Sequence, residues 1–288
     1  MVAKGRGDSG KKKADARKVG RIDEQDVRKA VRERYGALAL TATPCCSSAP
    51  STMCGCGDIY PKAEMVSLPE DAVAVSAGCG NPTAIAGMKP GMTVVDLGSG
   101  GGIDCFLSAK KVGPRGKVYG IDATPEMIHR ARKTAEDGGY DNVEFRLGEI
   151  EHMPLDSGIA DVVISNCVIN LSPDKGQVFR EAFRVLKPGG KIAVSDIVLL
   201  KELPERMRED LGGWSQCVSG AVSEQEYLDA MRKAGFDRIK VEERVVYRHE
   251  QLADYLSGTE AGEHSKLKGI DLSGLVASYK ISAVKPKK

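Results

Sequence analysis

Histidine and tryptophan are scarce in this chain of 288 residues: four His, a single Trp, and 5% aromatic residues in all. His129, His152, His249 and His264 are scattered along the sequence, which argues against a histidine general base and against a mixed His/Cys metal centre. No stretch approaches the roughly 18–20 apolar residues of a membrane span. The opening MVAKGRGDSGKKK carries no apolar run of the kind a secretory leader has. Secretion and membrane insertion are therefore not expected. The setting expected is a reducing cytoplasm, where cysteines stay as thiols for packing, metal binding or chemistry.

Charge is also sparse as a net quantity, +2 overall, but unevenly spread. Residues 1–21 sum to +6 and the remainder to −4. The basic stretch, residues 1–22, reads as a solvated disordered tail. No aromatic residue interleaves its lysines and no recognition motif follows, so a nucleic-acid partner is not expected.

What the sequence does have is a hydrophobic content of 41%, enough for a core without disulfide staples, and eight cysteines. Cys45, Cys46, Cys54 and Cys56 fall in a Ser/Pro/Gly-rich loop, and CC followed by CxC lacks the CxxC spacing of a structural zinc site. Cys105 sits in an apolar helical stretch and reads as packing. Cys79, Cys167 and Cys217 lie in SAGCGNP, ISNCVINLSPDK and GGWSQCVSGA, at glycine-rich or strand-end positions.

The apolar pattern alternates between strands and helices. An amphipathic helix is predicted over 23–35, and 23–74 reads as that helix plus the cysteine-rich loop. Strands are predicted at 92–97, 117–122, 143–147, 160–165, 191–196, 238–247 and 276–284. Thr124-Pro125-Glu126 starts one helix and Gly138 stops it. Ser172-Pro173-Asp174 starts another that LKPGG ends, and Ser223 with Glu226 forms a capping box. The fold class is α/β: a Rossmann-like, mostly parallel sheet with an antiparallel terminal strand. Residues 75–200 form the cofactor-binding core, and 201–288 an α+β extension that completes the sheet and shapes the substrate side.

Asp96-Leu-Gly98-Ser99-Gly100-Gly-Gly102 follows the first core strand and opens a helix, so that free N–H groups face a ligand. Asp122, followed by Ala123, ends the next strand 20 residues after Gly102, where an acid accepts ribose hydroxyls. An acid directly before the glycines repels a pyrophosphate and accepts a cationic amino group. That favours S-adenosylmethionine over a dinucleotide, with no metal cofactor. By topology Cys167 stands at the mouth of this site, outside the carboxyl end of a strand.

Residues 75–200 resemble the class I S-adenosylmethionine-dependent methyltransferases, in which LGEIEHMPL places an acid and a backbone N–H at the adenine. Glu149 and Ile150 occupy those positions, with Asn166 nearby. SAGCGNP, DLGSGGGIDCF, GIDATPEM, ISNCVINLSPDK, FRVLKPGGKIAVSDIV and residues 214–221 together resemble the arsenite methyltransferases more specifically. The resemblance implies that Cys167 and Cys217 hold trivalent arsenic, with Cys79 and one of Cys45 or Cys46 completing the set. It implies As(III) as substrate, delivered as a thiol conjugate, thioredoxin or glutathione as reductant, and a monomeric enzyme. The alternatives are a carbon methyltransferase for a quinone or sterol-like molecule, and a non-catalytic arsenic-binding or thiol-redox protein.

Overall fold

The computed structural model describes residues 23–41, 59–66, 68–203, 207, 217–257 and 271–287. The basic tail, Trp214 and the thiols of Cys45, Cys46, Cys54 and Cys56 lie outside the described residues.

Seven strands build one sheet: β1 (Thr93–Leu97), β2 (Lys117–Asp122), β3 (Val143–Leu147), β4 (Ala160–Asn166), β5 (Leu186–Leu199), β6 (Asp237–Val246) and β7 (Val276–Val284), in the order β3-β2-β1-β4-β5-β7-β6. The first five run parallel. β7 is antiparallel to both of its neighbours and is wedged between β5 and β6. β1 and β4 are runs of β-branched residues because both faces of a central parallel strand are covered. β6 alternates charge with apolar residues and is largely exposed, as an edge strand can be.

Helices flank the sheet: α1 (Glu24–Thr41), α2 (Lys62–Met65), α3 (Glu70–Ala74), α4 (Ile103–Val112), α5 (Pro125–Asp137), α6 (Lys175–Val185), α7 (Glu224–Lys233) and α8 (His249–Ser257). The capping box of α7 is present, Ser223 and Glu226 each bonding the other's backbone. α1 runs six residues beyond the predicted 23–35, through Gly36 and the strong helix formers that follow. Gly36 is retained there because it packs on α5: a Cβ would stand 3.3 Å from the Glu126 carboxylate. Thr124 takes the N-cap place of α5 but makes no side-chain cap bond, since its side chain hydrogen-bonds Asp122 instead. LKPGG ends α6 as expected, but it also opens β5, five residues before the predicted 191. α6 ends at Val185, and Leu186 already pairs with Ala160 as the first residue of β5. The long register of β7, which follows β5 from Lys191 to Leu199, accounts for the extension of that strand beyond the predicted 196.

One apolar layer covers each face of the sheet. Leu97, Ile121, Phe179 and Tyr227 belong to the first, where the Phe179 and Tyr227 rings meet edge to face at 5.3 Å. Val94, Phe106, Val118 and Ile164 belong to the second. A third cluster caps the carboxyl ends of the strands and contains Cys167 and Cys217 among Leu171, Ile197, Tyr247, Leu252 and Leu275. Among the described residues, no helix is long and apolar enough to cross a membrane.

Candidate active site

In the strand order the chain reverses direction of growth between β1 and β4, and a cleft opens outside their carboxyl ends. Gly98 (φ 66°) and Gly100 (φ 50°) bend the loop after β1 into left-handed backbone that side chains disfavour. At Gly98 a Cβ would collide with Val168 at 2.2 Å, whereas above Gly100 there is open space. The loop is thus pressed against the Cys167–Val168 turn on one side and bare toward the cleft on the other.

Asp122 fastens this loop. One carboxylate oxygen accepts Gly100 N–H at 2.9 Å and the other Thr124 N–H at 2.8 Å. Burial raises its pKa, and those backbone donors work against the rise. With the Thr124 hydroxyl, these donors take three of the carboxylate's roughly four acceptor sites and leave capacity for a ribose hydroxyl. Asp96 lies buried at the floor, its pKa raised by burial and then by Asp104. The Cys105 thiol donates to Asp96 at 3.3 Å, so this buried cysteine packs as expected and also orients a cleft carboxylate.

The predicted adenine acid, Glu149, is held by α1: Arg28 at 3.3 Å and Arg32 at 3.1 Å. Arg28 also pairs at 2.9 Å with Glu151, whose side chain is 2% exposed and accepts from the Ser172 hydroxyl. Both arginines line the cleft, as do Ser99, Ala123 and Ile150. Sequence reasoning missed the arginines, because their partners are more than 100 residues away.

Asn166 lines the cleft too, but its amide is engaged by protein. It accepts Cys79 N–H at 3.1 Å and Gly80 N–H, and donates to Gly80 O, to Tyr60 at 2.9 Å and to Asp104 at 3.0 Å. Tyr60 donates in turn to Asp104. Asp104, another residue not foreseen, is buried and its pKa is pushed up to about 6 by desolvation. Asn166 therefore brackets the Cys79 segment to α4.

The three thiols predicted from motifs converge. Cys167 and Cys217 share the third apolar cluster, and Cys79 packs against it. The Cys217 thiol donates to the Cys167 carbonyl at 2.6 Å. Cys167 is raised well above the usual thiol range, by hydrogen bonding with the Cys217 and Cys79 thiols first and then by burial. In Cys217 the hydrogen bond with Cys167 pulls downward, yet burial and Asp196 leave the thiol raised. Cys79, Cys105, Cys167 and Cys217 are all free. Among the described residues no group of three His, Cys, Asp or Glu side chains forms a ready-made metal cage. The thiols are gathered but directed at backbone and at one another.

The methyltransferase domain family matches residues 88–235. The arsenite methyltransferase of Halobacterium salinarum is 38% identical over 277 residues, covering 92% of this chain and 68% of that protein. The human arsenite methyltransferase is 42% identical over 153 residues, and the match covers 50% of this chain and 40% of the human one. The crystal structure of an arsenic(III) S-adenosylmethionine methyltransferase from Chlamydomonas reinhardtii superposes with a TM-score of 0.63 at 34% identity, over 78% of this chain and 73% of that one.

Proposed function

This chain belongs to the arsenite methyltransferase family, and from that premise we propose that it transfers a methyl group from S-adenosylmethionine to trivalent arsenic held by cysteine sulfur. The observation that carries this reading is the gathering of Cys79, Cys167 and Cys217 where the Cys167–Val168 turn touches the glycine loop of the cleft. Arsenic(III) is soft and prefers sulfur ligands.

The cleft residues fit the cofactor. Asp122 keeps acceptor capacity for a ribose hydroxyl, the uncluttered backbone at Gly100 permits close approach, Glu149 and the Ile150 backbone face the adenine end, and Asp96 suits a cationic amino group. When bound, S-adenosylmethionine supplies an electrophilic methyl group on a sulfonium centre.

The thiols act on arsenic as neutral groups. A protonated thiol condenses with As–OH so that an As–S bond forms, an As–O bond breaks and the thiol proton leaves in water. With a thiol conjugate the proton leaves on the displaced thiol. A raised thiol pKa is therefore no obstacle to capture, and no base is required. Cys217 must let go of the Cys167 carbonyl to bind. Burial in the apolar third cluster keeps competing water away from the bound arsenic. The chain contributes chiefly by holding arsenic beside the cleft in a fixed orientation.

Methylation raises arsenic formally to As(V). Two site sulfurs return the electron pair by joining as a disulfide, which regenerates As(III) and leaves a disulfide for an external thiol, thioredoxin or glutathione, to reduce. One of Cys45 or Cys46 supplies the fourth thiol, and the enzyme works as a monomer in the cytoplasm. The test is incubation of the chain with arsenite, S-adenosylmethionine and a reductant, followed by arsenic speciation. Methylated arsenicals that depend on all three are expected. Their absence, with methyl transfer to a quinone instead, would replace this reading.

A further inference from the structure

Of the described non-glycine residues, Cys167 (φ 59°), Cys217 (φ 66°) and Arg238 (φ 49°) adopt left-handed backbone. An L-residue keeps that conformation only where its surroundings over-determine it. For Cys167 the restraints can be followed individually. Its N–H donates to Ser195 O on β5 at 2.7 Å. Three residues later in the same turn, the Asn170 amide donates to Asp196 Oδ1 at 2.8 Å and to Ile197 O at 2.6 Å, both also on β5. Two acceptors at one end of the amide settle which end is NH₂. Asp196 is itself fixed by Ile197 N–H at 3.0 Å and by the Tyr227 hydroxyl of α7 at 3.1 Å. Asn170 and Tyr227 are 0% exposed, and Asn170 lies outside the lining of the cleft. Between the two anchors Val168 rests on Gly98.

We infer that Asn170 is a positioning residue for arsenic capture: its amide staples the turn to β5 and so holds Cys167 in the left-handed conformation that presents its thiol to Cys217 and Cys79. The inference rests on the reading of those thiols as arsenic ligands. Without the staple the turn can relax toward right-handed backbone, which swings the Cys167 side chain away from its partners. The cofactor residues Asp96 and Asp122 are tied by other bonds and are left in place.

The test uses the full-length chain and two variants, Asn170→Ala and Tyr227→Phe, the second removing only the hydroxyl that steadies Asp196. Arsenite affinity is read from arsenic–sulfur absorbance, S-adenosylmethionine affinity by calorimetry, and the alkylation rates of Cys167 and Cys105 with iodoacetamide by peptide mass. For Asn170→Ala the expected result is arsenite affinity lower by about 10–100-fold, the range for loss of a group that orients a ligand. S-adenosylmethionine affinity should fall by much less, since this turn touches the glycine loop through Val168 while Asp96 and Asp122 are held by other bonds. Cys167 alkylation should be faster and Cys105 alkylation unchanged. Tyr227→Phe should move the same readouts in the same direction by less, and it carries the test if Asn170→Ala does not fold. Unchanged arsenite affinity overturns the inference. So does a parallel fall in both affinities with Cys105 becoming reactive, which marks general loosening. If the parent chain binds no arsenite, the arsenic reading fails, while the alkylation comparison, made without arsenic, still decides whether Asn170 holds Cys167.

Discussion

The Cys217 thiol donates to the carbonyl of Cys167 at 2.6 Å, and both residues sit in left-handed backbone. Backbone strain of this kind costs about 1–3 kcal/mol per residue and persists where it serves a site. Here it aims two thiols from separate loops at one point. Cys167→Ser and Cys217→Ser should each abolish arsenite-dependent turnover while leaving S-adenosylmethionine binding intact, because a hydroxyl fits the same space but holds soft arsenic far more weakly than sulfur does. Arsenic speciation together with calorimetric cofactor titration checks this. Normal methylation by either variant removes the thiol mechanism.

Asp122 joins two backbone amides to the cleft through one carboxylate. In Asp122→Asn an NH₂ faces one of those amides and the anionic acceptor for a ribose hydroxyl is lost. Hydrogen bonds to charged groups contribute about 1.5–3 kcal/mol each. Cofactor affinity should fall by about 10–100-fold, and arsenite affinity should not change. Titration of each ligand separately measures both.

The parts of this architecture that follow from local pattern were legible in the sequence. β-branched runs ending in glycine and an acid mark β1 and β2, and the spacing from Gly102 to Asp122 marks the cofactor frame, because each depends on neighbours in the chain. Cys167 could be placed at the cleft by topology alone. Arg28 and Asn170 could not be assigned their roles. Arg28 acquires its role from Glu149 and Glu151, and Asn170 from Asp196 on another strand. No periodicity encodes a hydrogen bond between distant segments. The limits of α1 and the early start of β5 were missed for the same reason, each being set by a packing partner, α5 and β4 respectively.

α1 is fastened over the cleft by ion pairs of unequal weight. Arg28, with 25% of its side chain exposed, meets Glu151, whose side chain is 2% exposed, whereas Arg32 is half exposed where it meets Glu149. Arg28→Ala leaves the Glu151 carboxylate buried with the Ser172 hydroxyl as its remaining described side-chain partner, and should destabilise by about 1.5–3 kcal/mol. Arg32→Ala should cost under about 1 kcal/mol. Urea unfolding midpoints measure both, and equal losses would show that the burial of Glu151 does not matter.

Asp104 links the cleft to the Cys79 segment through Tyr60 and Asn166, and its pH dependence has a definite sign. Burial is the largest influence on its carboxyl and raises the pKa from 3.8 to about 6, against the Asn166 and Tyr60 hydrogen bonds that favour the anion. Between those two values the unfolded chain has released a proton that the folded chain still binds. Stability therefore falls as pH rises through this window, and the full loss is present above about 6. Asp104→Asn removes the titration while keeping one donor and one acceptor for the network. The difference in thermal midpoint, variant minus parent, should increase from pH 4 to about pH 6 and then level off. A constant difference across that window would mean that Asp104 is ionised throughout, and that the hydrogen bonds from Tyr60 and Asn166 outweigh its burial.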